Sequence, residues 1–92
     1  MALEKTITNK IMTESRRDGW LVYKLAGGSF QTAGLPDVLL MKNSRTVFLE
    51  VKRPGGKATP LQLHHIAKIR DAGHTAEVVT SWDQAQAILE NV

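Results

Sequence analysis

The chain has 92 residues, 42% of them apolar, which is enough for one modest core and argues against a disordered segment. It carries 12 lysines and arginines against 9 acidic residues, a net charge of +3 and a pI near 9.5. That balance suits a polyanionic partner without selecting one. There is no cysteine, so disulfide scaffolds and thiolate metal sites are excluded and a reducing, intracellular compartment is expected. The opening residues mix apolar and charged side chains rather than forming a signal peptide. No window reaches the roughly 20 apolar residues of a membrane span.

Leu3, Ile7 and Ile11 recur at helical spacing among good helix formers, which predicts a helix over about residues 3–18 ending at Gly19. Glu4 stands three residues before Ile7, so it lies on or beside the apolar stripe; Glu14 is similarly placed near the other end. WLVYKL (20–25) reads as a strand from its aromatic and β-branched content. AGGSFQTAG (26–34) is a glycine-rich mobile loop that can lie close to a ligand, with Ser29 in it as a candidate phosphate contact. PDVLLMK (36–42) and TVFLEVK (46–52) are two further strands, and KNSR between them supplies hairpin turn residues.

A second loop, RPGGKA (53–58), leads into TPLQ, where Thr59 caps a helix, Pro60 takes its first position and Gln62 completes a capping box. That helix should stop at Gly73. TAEVVT (75–80) is a strand, and Ser81 caps a last helix with Trp82, Ala85, Ile88 and Leu89 along its apolar stripe. The element order is then α-β-β-β-α-β-α. A hairpin followed by a strand–helix–strand crossover gives a mixed sheet with helices packed on it, a three-layer-like α/β sandwich in a single domain over 1–92.

The alternation in TVFLEVK places Phe48, Glu50 and Lys52 on one face and Val47, Leu49 and Val51 on the other. Glu50 and Lys52 are therefore neighbours, roughly 6–7 Å apart at ~3.3 Å rise per residue. So apolar a strand should be central and covered on both sides, where an acid and a lysine are costly unless they pair or meet a metal. If the two strands form a hairpin, Asp37, at the start of one, comes beside Glu50 and Lys52, at the end of the other. Two converging carboxylates make a hard-oxygen site suited to Mg²⁺ or Mn²⁺. The three histidines, His64, His65 and His74, do not have zinc-ligand spacing.

GLPD, twelve residues, then EVK resembles the active-site signature of the PD-(D/E)XK nuclease superfamily. With the helical Glu4, the RPGG after EVK and the downstream TPLQ, the whole chain is similar to a stand-alone VRR-NUC (virus-type replication-repair nuclease) domain. The resemblance implies a restriction-endonuclease-like core and a Mg²⁺- or Mn²⁺-dependent endonuclease acting on DNA, with branched or four-way junction DNA as the expected substrate. It implies that Asp37, Glu50 and the Val51 carbonyl hold the metal, with Glu4 as an additional carboxylate. Lys52 would orient or deprotonate the attacking water, and Gln62 would position substrate or water. Lys24, Arg53, Lys57, Arg16 and Arg17 are candidate DNA contacts. A homodimer would present two sites to two strands, in the cytoplasm of a bacterial or phage-infected cell. The alternatives are a non-catalytic DNA-binding module on the same fold, and a nuclease for RNA or modified DNA.

Overall fold

In a computed structural model, which describes residues 3–25 and 32–92, seven elements follow the expected order. They are α1 (Glu4–Arg17), β1 (Leu21–Lys24), β2 (Val38–Lys42), β3 (Arg45–Val51), α2 (Pro60–Asp71), β4 (Thr75–Val79) and α3 (Trp82–Glu90). Each boundary falls within about two residues of the sequence expectation. Both glycine stops operate as helix ends. Gly19 N–H returns to Arg16 O and Trp20 N–H to Ser15 O, and Gly73 and His74 repeat the pattern on Arg70 and Ile69. Leu3 departs from its expected place on the stripe: it is the residue before the helix and is exposed. Ser29 and the first part, 26–31, of the loop expected over 26–34 lie outside the described residues.

The sheet order is β1-β2-β3-β4. β1, β2 and β3 form an antiparallel meander, and β4 joins β3 in parallel through the α2 crossover. β3 is thus flanked on both sides, as its apolar composition requires. The β2–β3 turn is two residues long, and both Asn43 (φ 50°) and Ser44 (φ 65°) are left-handed. That geometry matches the strand twist and sets the register. The register pairs Val38 with Leu49, so Asp37 and Glu50 fall at the next step.

α1 and α3 lie on one sheet face. Ile7, Ile11, Ala85 and Leu89 close there over Val22, Val38, Leu40, Val47, Leu49, Val51 and Val79. Fully burying such side chains stabilises the fold by about 1.5–3 kcal/mol each. α2 covers the opposite face beside β4, with Ile66 against the layer that holds Ala76. Its start is fixed by the capping box: Gln62 N–H donates to Thr59 Oγ1 (3.2 Å) and Thr59 N–H to Gln62 Oε1 (2.8 Å). Over β1 and β2 no described helix covers that second face. Across it Tyr23, Leu39, Phe48 and Ala76 are successive cross-strand neighbours, and burial falls from complete at Ala76 to half exposure at Tyr23.

Candidate active site

The last residues of β3 carry the site to the sheet end where β2 begins. Asp37 is anchored at both of its ends. Its carbonyl accepts from Leu25 N–H at 2.7 Å, and its Oδ2 accepts from Val51 N–H at 2.8 Å. This residue therefore ties the ends of β1, β2 and β3 together, and the side-chain bond sets its carboxylate against the Glu50–Val51 peptide. The preceding GLP segment is tightly held. Pro36 is fully buried, and Gly34, at φ +84°, packs so closely on α2 that an added Cβ would stand 2.6 Å from Leu61 Cγ. A glycine is needed there for both reasons.

Glu50 projects to the α2 face and is only 2% exposed. Its Oε2 lies 3.6 Å from Lys52 Nζ and accepts a long, 3.4 Å hydrogen bond from Gln62 Nε2. Its Oε1 is buried with no hydrogen-bond partner. Burial, reinforced by the adjacent Asp37 carboxyl, raises the Glu50 pKa from the ordinary 4.5 to about 8, while the Lys52 ammonium opposes the rise. Lys52 is held from two directions. Its backbone N–H donates to Val79 O at 2.9 Å, and its ammonium lies between Glu50 and Glu4, 3.8 Å from the latter. Glu4, at the first turn of α1 and half exposed, thus joins the group through Lys52.

The donor set fits a Mg²⁺-like ion. Among the described residues no cluster of three or more Asp, Glu, His or Cys exists that would cage a metal. Two carboxylates are what such an ion takes when water and substrate phosphate complete its sphere. The unpartnered Glu50 Oε1 is an oxygen whose burial calls for a cation. Asp37 and Glu50 are the carboxylates that such an ion would use; the Val51 peptide lies beside them through its N–H bond to Asp37.

The other candidates divide. Lys24 is brought close: with Glu4, Asp37 and Val51 it lines a cleft between α1 and the end of β1, about 290 Å³ in volume. Arg53 and Lys57 are exposed on the loop leaving β3, near the site in sequence and free to meet a ligand. Arg16 and Arg17 are not at the catalytic group, lying about 18–20 Å along the helix from Glu4 at ~1.5 Å per residue. Arg16 donates to Val22 O (3.2 Å), and Arg17 pairs with Glu14 (3.3 Å). Lys5, Thr8 and Asn9 also line the cleft and had no place among the sequence candidates. Thr8, four positions after Glu4, shares its side of the helix, whereas Lys5 and Asn9 form the next ridge round and look like ordinary exposed residues in the sequence.

Comparison with known proteins decides the family. The VRR-NUC domain family model matches residues 6–83. This chain belongs to the VRR-NUC family. It is 35% identical over 81 residues to "Putative nuclease p44" of Acyrthosiphon pisum secondary endosymbiont phage 1, with 87% of this chain and 85% of that protein covered. A solved VRR_NUC domain superposes at a TM-score of 0.79 with 27% identity, 97% of each chain being covered. A second, described as a VRR_NUC domain protein, reaches 0.81 at 19% identity over 97% of this chain and 86% of the other; that likeness shows the shared fold alone. The VRR-NUC assignment makes this a nuclease-family domain. Among its described residues no helix is long and apolar enough to cross a membrane.

Proposed function

We propose that this VRR-NUC domain is a Mg²⁺- or Mn²⁺-dependent endonuclease that hydrolyses phosphodiester bonds in DNA, with branched and four-way junction DNA as its preferred substrates. The observation that carries the catalytic part is the convergence of Asp37, Glu50 and Lys52, with one buried Glu50 oxygen lacking any partner. Asp37 and Glu50 would hold the divalent ion, which would supply Lewis-acid polarisation of the phosphate and a lowered pKa for water. Lys52, whose ammonium lies between Glu4 and Glu50, would orient or deprotonate the attacking water or neutralise charge developing on the phosphate. Gln62 Nε2 steadies the Glu50 carboxylate from the α2 side. Water adds to phosphorus, one P–O ester bond breaks, and the products are a phosphomonoester and a hydroxyl.

The preference for branched DNA is supported by the family resemblance and by size. A domain of 92 residues has little surface beyond the site with which to read base edges, so backbone shape is the economical feature to recognise. A homodimer is supported by an apolar face that no described helix covers: Leu21 and Tyr23 on edge strand β1 are 52% and 51% exposed, beside half-buried Leu39 and Met41. A monomer by light scattering at micromolar concentration would remove the dimer from the proposal.

The test is incubation of the protein with four-way, flap, nicked and linear DNA and a matched RNA, each with EDTA, Mg²⁺ or Mn²⁺. Metal-dependent cutting of DNA that is lost in Asp37→Ala, Glu50→Ala and Lys52→Ala is the expected result. Cutting that survives those changes would overturn the assignment of the site. RNA cut in preference to DNA would overturn the substrate.

A further inference from the structure

We infer that Lys5, Asn9 and Lys24 form a second phosphate-binding subsite, which takes the phosphodiester next to the one being cut. This rests on the nuclease function proposed above and adds to it the path of the substrate strand. The cleft beside the catalytic group is walled by α1 on one side and the end of β1 on the other. Lys24 pairs with Val38, whose side chain is fully buried against the α1 face. Cross-strand partners point to the same face, so the Lys24 side chain rises toward α1. From the helix, Lys5 and Asn9 stand one turn apart and follow directly after Glu4 and Thr8, which form the neighbouring ridge closer to the sheet.

Charge gives the cleft its direction. Its inner end is acidic, with Asp37 and Glu4 in the lining and Glu50 behind them. A polyanion crossing the site could place one phosphate there if a divalent cation held by Asp37 and Glu50 offset their charge. The adjacent phosphate has no such partner and is repelled by the same acids unless cations meet it. Lys52, seated between Glu4 and Glu50, is already assigned to the phosphate being cut, so the next phosphate needs other cations. The cleft offers two other ammonium groups and one amide donor, all on exposed residues. Among the described residues Lys5, Asn9 and Lys24 make no side-chain hydrogen bond or ion pair with protein. Lysines bind phosphate as point charges and the asparagine amide can donate directionally, a pairing that reads backbone without reading bases.

The experiment measures binding of a fluorescein-labelled four-way junction by anisotropy in EDTA across a salt series, followed by cleavage kinetics in Mg²⁺. Lys5→Gln, Asn9→Ala, Lys24→Gln and Lys24→Arg are compared with Lys68→Gln, on the far part of α2, as the control. Each lysine-to-glutamine change is expected to weaken binding several-fold and to reduce the slope of log K against log salt by about 0.9. It should raise KM with little change in kcat, as for an interaction made equally in ground and transition states. Asn9→Ala should weaken binding without altering the salt slope, and Lys24→Arg should restore it. A wild-type protein that neither binds nor cuts DNA would overturn the proposed function and this subsite with it. A wild-type protein that cuts DNA, with salt slopes and KM unchanged in Lys5→Gln and Lys24→Gln, would overturn the subsite alone.

Discussion

Replacing Glu50 by glutamine should stop catalysis and at the same time make the metal-free protein more stable. The Glu50 carboxyl is buried beside Asp37, with a pKa of about 8 against an ordinary 4.5. An acid whose folded pKa is raised destabilises the fold where the unfolded chain would ionise it and the folded chain resists. That cost is absent below pH 4.5, grows as pH rises toward 8 and is constant above. At pH 7 it spans about two and a half pH units at about 1.4 kcal/mol each, or roughly 3 kcal/mol. Glutamine keeps the shape, has no charge to desolvate, and so recovers most of that amount. In a domain this small the gain corresponds to a rise in Tm on the order of 10 °C. The measurement is thermal unfolding of both proteins by circular dichroism in EDTA from pH 4.5 to 8.5. The gap should open with pH. A Glu50→Gln protein that melts at or below the wild type throughout would refute the burial argument on which the metal site rests.

Three further outcomes are expected. Because a metal takes Glu50 only as the carboxylate, Mg²⁺ or Mn²⁺ should raise the wild-type Tm more at pH 8 than at pH 6 and leave Asp37→Asn unmoved; the initial cutting rate at limiting metal should climb toward about pH 8 and then level. Gln62→Glu retains an acceptor for Thr59 N–H, so urea unfolding should shift by less than about 1 kcal/mol, while the negative charge placed on Glu50 lowers kcat; Gln62→Ala should lose both stability and rate, and equal activity in all three proteins would leave Gln62 as a cap only. Gly34→Ala should cost roughly 2–4 kcal/mol in urea unfolding, from left-handed strain and the clash with Leu61, with a loss of rate beyond that of an equally destabilising change in the core.

Why some of the site could be read ahead of the structure and some could not is a matter of range. Glu50 and Lys52 lie two apart on one strand, so the period of a strand alone puts them together. Asp37 needed only the hairpin register, which the short turn enforces. The capping box at Thr59 is local chemistry, and the sequence states it outright, yet the reach of Gln62 to Glu50 depends on how α2 docks. Glu4 was visible as an acid on the wrong side of a helix. That it reaches Lys52 and shares a cleft with Asp37 follows from the lateral position of α1 on the sheet, which no local pattern encodes. Lys5 and Asn9 escaped for the same reason: on a helical wheel they are ordinary solvent-facing residues until β1 is laid beside them. The exposure of Leu21 and Tyr23 on β1 was equally hidden, since strand alternation reads the same whether or not a helix covers the face.

The double anchoring of Asp37, with its carbonyl on Leu25 and its carboxylate on Val51, has a consequence for how the enzyme comes into being. The reacting groups are assembled by strand alignment and not carried on any one segment. A slip of one residue between β2 and β3 would turn Glu50 into the α1–α3 core and bring Leu49 to its place beside Asp37. Partly folded or misaligned chains therefore lack the Asp37–Glu50–Lys52 group. With that group as the hydrolytic centre proposed above, a chain would gain the power to cut only once its strands are in register.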